Sequence, residues 1–323
     1  MKAASERNFK VPHEAFALST AWYPDASMPV SEVMRLVSEL GVRKFEIGVS
    51  SNVLDLEAIR LMVTTSEVEV TSIHNICADV LYRGDGTRPR EPRGDDLSSL
   101  DEARRKLAVE QTVETVRLAR SLGAKAVILH LGRVEFPEAR RLQAELCLML
   151  KNSTGREEVS RQMSHLIVQR NSLRAPYLEV VKRSLDEILY RTEEVSLALE
   201  GRYHFHEIPS LDEVGFLFER VPSERLGYWH DTGHSQLGEI LWNSRQEDWL
   251  KSYAPRLIGI HLHDVRECQD HLPPGQGELD FGRILSLVPA QALRVVEVAP
   301  NVALEDVLRS FDFLSRVEDF SAR

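Results

Sequence analysis

Eight short runs of aliphatic and β-branched residues recur along the chain, at Phe16–Thr20, Lys44–Val49, Val68–His74, Ala126–His130, Val195–Glu200, Leu226–Asp231, Leu257–Leu262 and Leu293–Val298. Each has strand length, and the stretches between them carry apolar residues at helical spacing, as from Val30 to Leu40 and from Leu107 to Leu122. Gly41 and Gly123 stand where those two helices should stop. Strands that alternate with helices call for a parallel sheet. Eight such units, with no G-x-G-x-x-G turn and no P-loop, point to a closed α/β architecture, the (β/α)8 TIM barrel, rather than an open doubly wound sheet.

Two connections are expanded. The segment from Asp79 to Leu100 is rich in glycine, proline and arginine and reads as an irregular loop, with Arg83 to Arg93 a charged stretch able to meet phosphates. The segment from Val134 to Ala175 has helical patterns around Glu138–Lys151 and Glu157–Asn171, parted by Asn152-Ser-Thr-Gly, and reads as a helical insertion after strand four that covers the barrel mouth. Neither has the apolar content of a second core, so one barrel domain over residues 1–323 is expected.

Charge and composition narrow the function. The formal net charge of −10 gives no long-range help to binding nucleic acid or anionic lipid, which favours a small-molecule substrate. Cys77, Cys147 and Cys268 are widely spaced and form no C-x-x-C, which argues against a thiolate zinc site or a disulfide framework. Met1 to His13 lacks the apolar core of a signal peptide, and no apolar run reaches the ~20 residues needed to span a bilayer. A cytoplasmic enzyme without membrane partners is expected, with a homo-oligomer left open.

Barrel chemistry collects at the C-terminal ends of the strands. Here those ends carry His74, His130, Glu200, Asp231, His261 and Glu297. Carboxylates converging on one axis repel, and a divalent cation (Mn2+, Zn2+ or Mg2+) removes the conflict. Alternation along the strands turns Asp231 and His261 inward as ligands and sends His230 toward the helices. His263 points inward one step higher, as ligand or substrate contact. Arg266, His204 and His206, in loops beyond their strands, are candidate substrate contacts.

The set His74, His130, Glu200, Asp231-x-x-His234, His261-x-x-Asp264 and Glu297, with His271-x-x-Pro-Gly-x-Gly-x-x-Asp280-Phe, resembles the xylose isomerase-like barrel superfamily from about Phe16 to Leu314. That group includes sugar and sugar-phosphate isomerases and epimerases, dehydratases and endonuclease IV. The resemblance implies a metal site of Glu200, Asp231, His261 and Glu297. It further implies a sugar, sugar phosphate or related polyol as substrate, isomerised or epimerised through a metal-stabilised enediolate. Glu200 and Glu297 would move the proton and His234 would orient a hydroxyl. The alternative is an endonuclease IV-like zinc phosphodiesterase acting on abasic DNA, whose three-zinc pattern also uses positions matching His74, His130, His234 and His271. Gln269 departs from that pattern, because the family has an aspartate there and an amide is a poor zinc ligand. A dehydratase with the same metal and base is close to the first reading. A barrel that serves only for binding would have lost a ligand, and no strand end shows such a loss.

Overall fold

The computed structural model describes residues 15–48, 54–77, 94–151, 155–300 and 302–321. Its centre is a closed barrel of eight parallel strands: β1 (Ala17–Ser19), β2 (Lys44–Ile47), β3 (Glu69–His74), β4 (Ala126–Leu129), β6 (Ser196–Glu200), β8 (Leu226–Asp231), β9 (Leu257–Leu262) and β12 (Leu293–Val296). The barrel closes where Ala17 and Leu18 of β1 pair with Val295 and Val296 of β12. All eight expected strand runs are therefore strands of one sheet. Among the described residues, two small antiparallel sheets stand outside the barrel, β5 (Gly132–Arg133) with β7 (Glu207–Ile208), and the hairpin of β10 (Asp264–Arg266) with β11 (Gln269–Leu272).

Strand alternation sorts the side chains into two cores. Leu18, Phe45, Ile47, Val127, Leu129, Leu197, Leu199 and Val296 face the helices and join the main apolar cluster. The barrel interior is narrower and holds small residues, Ala17, Ala126 and Ala198, together with Ile128, Val295 and Trp229. Gly259 is what lets Trp229 lie across that interior, since a Cβ there would stand 2.2 Å from the indole. The ring lies 5.0 Å from that of His261 and forms a floor beneath the polar strand ends.

The helix expected over Leu107 to Leu122 runs from Glu102 to Ser121. Asp101 caps it by accepting from Ala103 N at 2.9 Å and Arg104 N at 3.2 Å, which offsets two of the four unpaired amides of the first turn. Gly123 ends it at φ +75°. The insertion after the fourth barrel strand is helical as expected, Ala139–Lys151 followed by Arg156–Leu173. Buried Arg170 ties the second of these to the helix Leu211–Arg220 through Glu213 and donates to Glu207 O at 2.8 Å. The charged stretch Arg83 to Arg93 lies outside the described residues. Among the described residues, no helix is long and apolar enough to cross a membrane.

Candidate functional site

Four inward groups meet at the C-terminal end of the barrel. His261 Nδ1 lies 2.9 Å from Glu200 Oε1, 3.2 Å from Glu297 Oε2 and 3.6 Å from Asp231 Oδ2. One ligand atom from each of the four lies within 4.8 Å of the others, and all four residues are buried. On the far edge of the same ring, Nε2 lies 3.1 Å from Glu46 Oε1. Glu46, fully buried, also accepts from Ser19 Oγ at 3.1 Å and Ser72 Oγ at 2.8 Å. Ser19, Glu46 and Ser72 are partners in register on β1, β2 and β3, so they form one inward layer beside His261.

The electrostatics of this layer favour a cation. Against the cost of burial, His130 and Arg202 hold the Glu200 carboxyl well below its usual range. Burial likewise opposes ionisation of Asp231, yet His234 and His263 hold it well below. Glu297 is lowered, again against burial, by His261 and His271. Burial would keep His261 neutral, but Glu297 and Glu46 raise it well above its ordinary value. Its Nδ1 proton thus sits among three carboxylate oxygens. That is where a divalent ion with imidazole and carboxylate donors would release it, so the residues fit such an ion. Glu46 would then hold the ring through Nε2–H, a carboxylate–histidine pairing common behind metal-binding imidazoles.

The remaining strand-end histidines surround this set. His130 Nε2 lies 2.7 Å from Glu200 Oε2 and its Nδ1 lies 3.2 Å from Asp95 Oδ1. These carboxylates overcome burial and the nearby Arg202, and raise His130 to about 9. His74 Nε2 approaches the same Glu200 oxygen at 3.7 Å. Arg202 Nη1 also reaches Glu200 Oε2, at 2.6 Å, and its Nε lies 3.5 Å from Glu207. On the other side, His271 N donates to His263 Nδ1 at 2.9 Å, which leaves the His263 proton on Nε2, 2.9 Å from Asp231 Oδ1. His234 Nδ1 meets the Gly201 carbonyl at 3.1 Å, so Nδ1 carries the hydrogen and Nε2 keeps its lone pair. His234, His263 and His271 also have ligand atoms within 4.8 Å of one another, as do His74, His130 and Glu200.

A cavity of about 630 Å3 opens beside these groups, lined among others by Asn75, His130, Arg133, Arg202, His204 and His234. Its polar walls suit a hydroxylated small molecule. His204 is among the residues that line it. His206 is buried and is not among the lining residues, and Arg266 is exposed and donates to the Gln276 carbonyl instead. His230 turns to the helix layer as expected, between Tyr228 Oη at 2.9 Å and Gln246 Oε1 at 3.2 Å. Asp264, part of the motif that carried the resemblance, pins the loop after β11. It accepts from Gly275 N at 3.0 Å, Gly277 N at 2.8 Å and Leu279 N at 3.0 Å. Gln269 is exposed. Sequence reasoning missed Glu46, Asp95 and Arg202. Only Glu46 left a signal, a lone carboxylate at an inward position between Phe45 and Ile47.

The backbone is similar to several solved structures at low identity, which speaks to the fold. A D-tagatose 3-epimerase-like protein is 18% identical, with a TM-score of 0.62 over 95% of this chain and 98% of its own. An AP endonuclease of family 2 from Brucella melitensis is 14% identical, with a TM-score of 0.58 over 93% and 98%. The IOLI protein, solved with a bound zinc atom, is also 14% identical, with a TM-score of 0.58 over 95% and 97%. No curated protein sequence matches. The family model for the xylose isomerase-like TIM barrel matches residues 34–301, and with the closed eight-stranded barrel and its strand-end residues in place, the chain belongs to that family.

Proposed function

We propose that the chain is a divalent-metal-dependent isomerase or epimerase of a sugar, sugar phosphate or related polyol. The observation that carries this reading is the convergence of Glu200 Oε1, Asp231 Oδ2 and Glu297 Oε2 about His261 Nδ1, beside the polar cavity. A divalent ion held by these four residues would act as a Lewis acid toward a substrate carbonyl and its neighbouring hydroxyl. The chain's own groups supply the proton chemistry. Glu200 and Glu297 extend from non-adjacent strands, β6 and the end of β12, with β8 and β9 between them. One carboxylate takes the proton next to the carbonyl and the other returns one, and both are held in the ionised form that a base needs. His234 Nε2 accepts a hydrogen bond from a substrate hydroxyl and fixes its orientation. Arg202 holds the second oxygen of Glu200 in place.

The zinc phosphodiesterase reading has one specific support, the two additional histidine clusters. Charge and hydrogen bonding weigh against it. A second ion at His74 and His130 would share Glu200 Oε2 with the Arg202 guanidinium, a like-charge contact in a buried place. A third would have to displace the His263 proton that now bonds Asp231.

Two measurements on the purified protein separate the readings. Elemental analysis after dialysis should give one tightly held divalent ion per chain. Proton NMR in D2O, with a panel of ketoses and ketose phosphates, should show exchange of the hydrogen next to the carbonyl for at least one of them. Three stoichiometric zinc ions with incision of an abasic duplex would overturn the isomerase reading.

A further inference from the structure

The cavity of about 630 Å3 is lined by His234, which lies 3.5 Å from Asp231, and also by Arg133 and Arg140, which play no part in the chemistry above. From His234 a series of edge-on ring contacts leads to Tyr203, at 5.9 Å between centroids, and on to His204 at 4.3 Å. Burial pushes His204 and His206 down to about 4 against the pull of Glu207, and the Arg140 guanidinium works with burial at both rings. Arg133 does the same at His206, so the two guanidiniums share one neighbourhood. The loop beneath them is held in place. His204 N donates to Glu207 Oε2 at 3.0 Å, and Arg133 stands opposite Glu207 in the pairing of β5 with β7. Buried Gln143 donates to Tyr203 O at 3.1 Å and accepts from Phe205 N at 3.1 Å. Residues three apart share a helix face, so the contact that clamps the loop to the insertion helix Ala139–Lys151 also sets Arg140 beside it.

The carboxylates of the cavity wall have partners of their own. Asp95 has His130 at 3.2 Å, Glu207 has Arg202 at 3.5 Å and Asp270 has His271 at 3.2 Å. Asp96 also lines an adjoining cavity, with Arg104 in its wall. The arginines are less well matched. Arg133 has Glu135 at 3.9 Å, a long contact to an exposed side chain, and among the described residues Arg140 has no ion-pair partner. We propose that Arg140, with Arg133 beside it, forms a phosphate subsite, which binds the phosphate monoester of a ketose phosphate whose carbonyl end lies at Glu200 and His234. The assignment rests on the isomerase reading and narrows its substrates to phosphorylated ones. A guanidinium donates two parallel N–H bonds to phosphate oxygens, and a phosphate dianion balances the two arginines that the wall leaves weakly matched. Arg140 is exposed, so the phosphate keeps part of its hydration and its recognition depends on the geometry of the fork.

The test reads binding and turnover separately. Isothermal titration of the protein as purified uses ketopentoses and ketohexoses with a terminal phosphate, each beside its unphosphorylated parent and the matching uronate. At least one sugar phosphate should bind about 10–100-fold more tightly than its parent, the range expected for hydrogen bonds between charged groups. Arg140→Ala should remove most of that gain, and Arg140→Lys, which keeps the charge without the fork, should restore part of it. Circular dichroism checks that each variant keeps the barrel. In the proton-exchange assay, the kcat/KM ratio of phosphate to parent should fall by a similar factor in Arg140→Ala. Equal binding of every phosphate and its parent, or a preference that survives in Arg140→Ala, overturns the subsite. A uronate that gains as much affinity through Arg140 as the phosphate does overturns the phosphate in favour of a carboxylate. Hydrogen exchange confined to unphosphorylated ketoses overturns the subsite and leaves the isomerase reading standing. Phosphate binding that depends on Arg140, with no hydrogen exchange in any ketose, overturns the isomerase reading and leaves the subsite.

Discussion

Glu46 sits in the middle of Lys44-Phe-Glu-Ile, a run whose apolar members, Phe45 and Ile47, face the helices. The strand-end residues Glu200, Asp231, His261 and Glu297 were legible because barrel topology alone gathers the ends of parallel strands. Glu46 was not, because a carboxylate within a strand has many uses and only the closed barrel brings it against His261 Nε2. If it holds the ring as the geometry indicates, Glu46→Gln should weaken binding of Mn2+ by about 10–100-fold, as loss of such outer partners does elsewhere. Isothermal titration gives the affinity, and circular dichroism checks that the barrel is intact. An unchanged affinity would remove Glu46 from the site. Glu200→Gln and Glu297→Gln touch the proposed base itself. Each should lower turnover of the substrate identified by proton exchange by at least about 10²–10⁴-fold. Near wild-type turnover in either variant would remove that residue from the proton path.

The helical insertion shows where periodicity stops informing. Spacing located both helices to within a few residues, since each buries one face. Their docking depends on polar partners far away in sequence. Arg170, with its side chain 1% exposed, pairs with fully buried Glu213, the N3 residue of a capping box begun by Ser210. In the sequence Arg170 is one arginine among many on a polar helix, and nothing local marks it as buried. Arg170→Ala would leave the Glu213 carboxylate without its main partner in a buried place, and breaking such pairs typically costs about 3–5 kcal/mol. Urea unfolding should show a loss of that size. Less than about 1 kcal/mol would place the pair among ordinary surface ion pairs.

At the scale of the molecule, the fold follows from a pattern repeated eight times, whereas the protonation states that shape the site follow from contacts no pattern encodes. His204, His206 and His230 are the clearest case, because burial pushes each of them down to about 4. For His206 the cost is plain: it is 4% exposed and its Nδ1 has no hydrogen-bond partner among the described residues. Unfolding restores an ordinary value near 6.5, so between pH 6.5 and 4 the unfolded chain binds protons that the folded chain does not. Stability gained from keeping these rings neutral is therefore complete above pH 6.5 and is lost as pH falls toward 4. His130 and His271, both raised to about 9, oppose this slope near pH 6.5 and above, where the folded chain holds protons that the unfolded chain has partly lost, and add little below about pH 6. Above about pH 5.5 the carboxylates add little as well, since Glu207 is lowered to about 2 and titrates in the unfolded chain near 4.5. Urea unfolding of the metal-free protein from pH 6.5 to 5.5 should thus show falling stability, with a slope that steepens toward three protons. His206→Gln should reduce that slope by about one proton. Equal slopes in the wild type and the variant would mean that His206 is already protonated in the folded barrel, and that burial at this position does not exclude the charge.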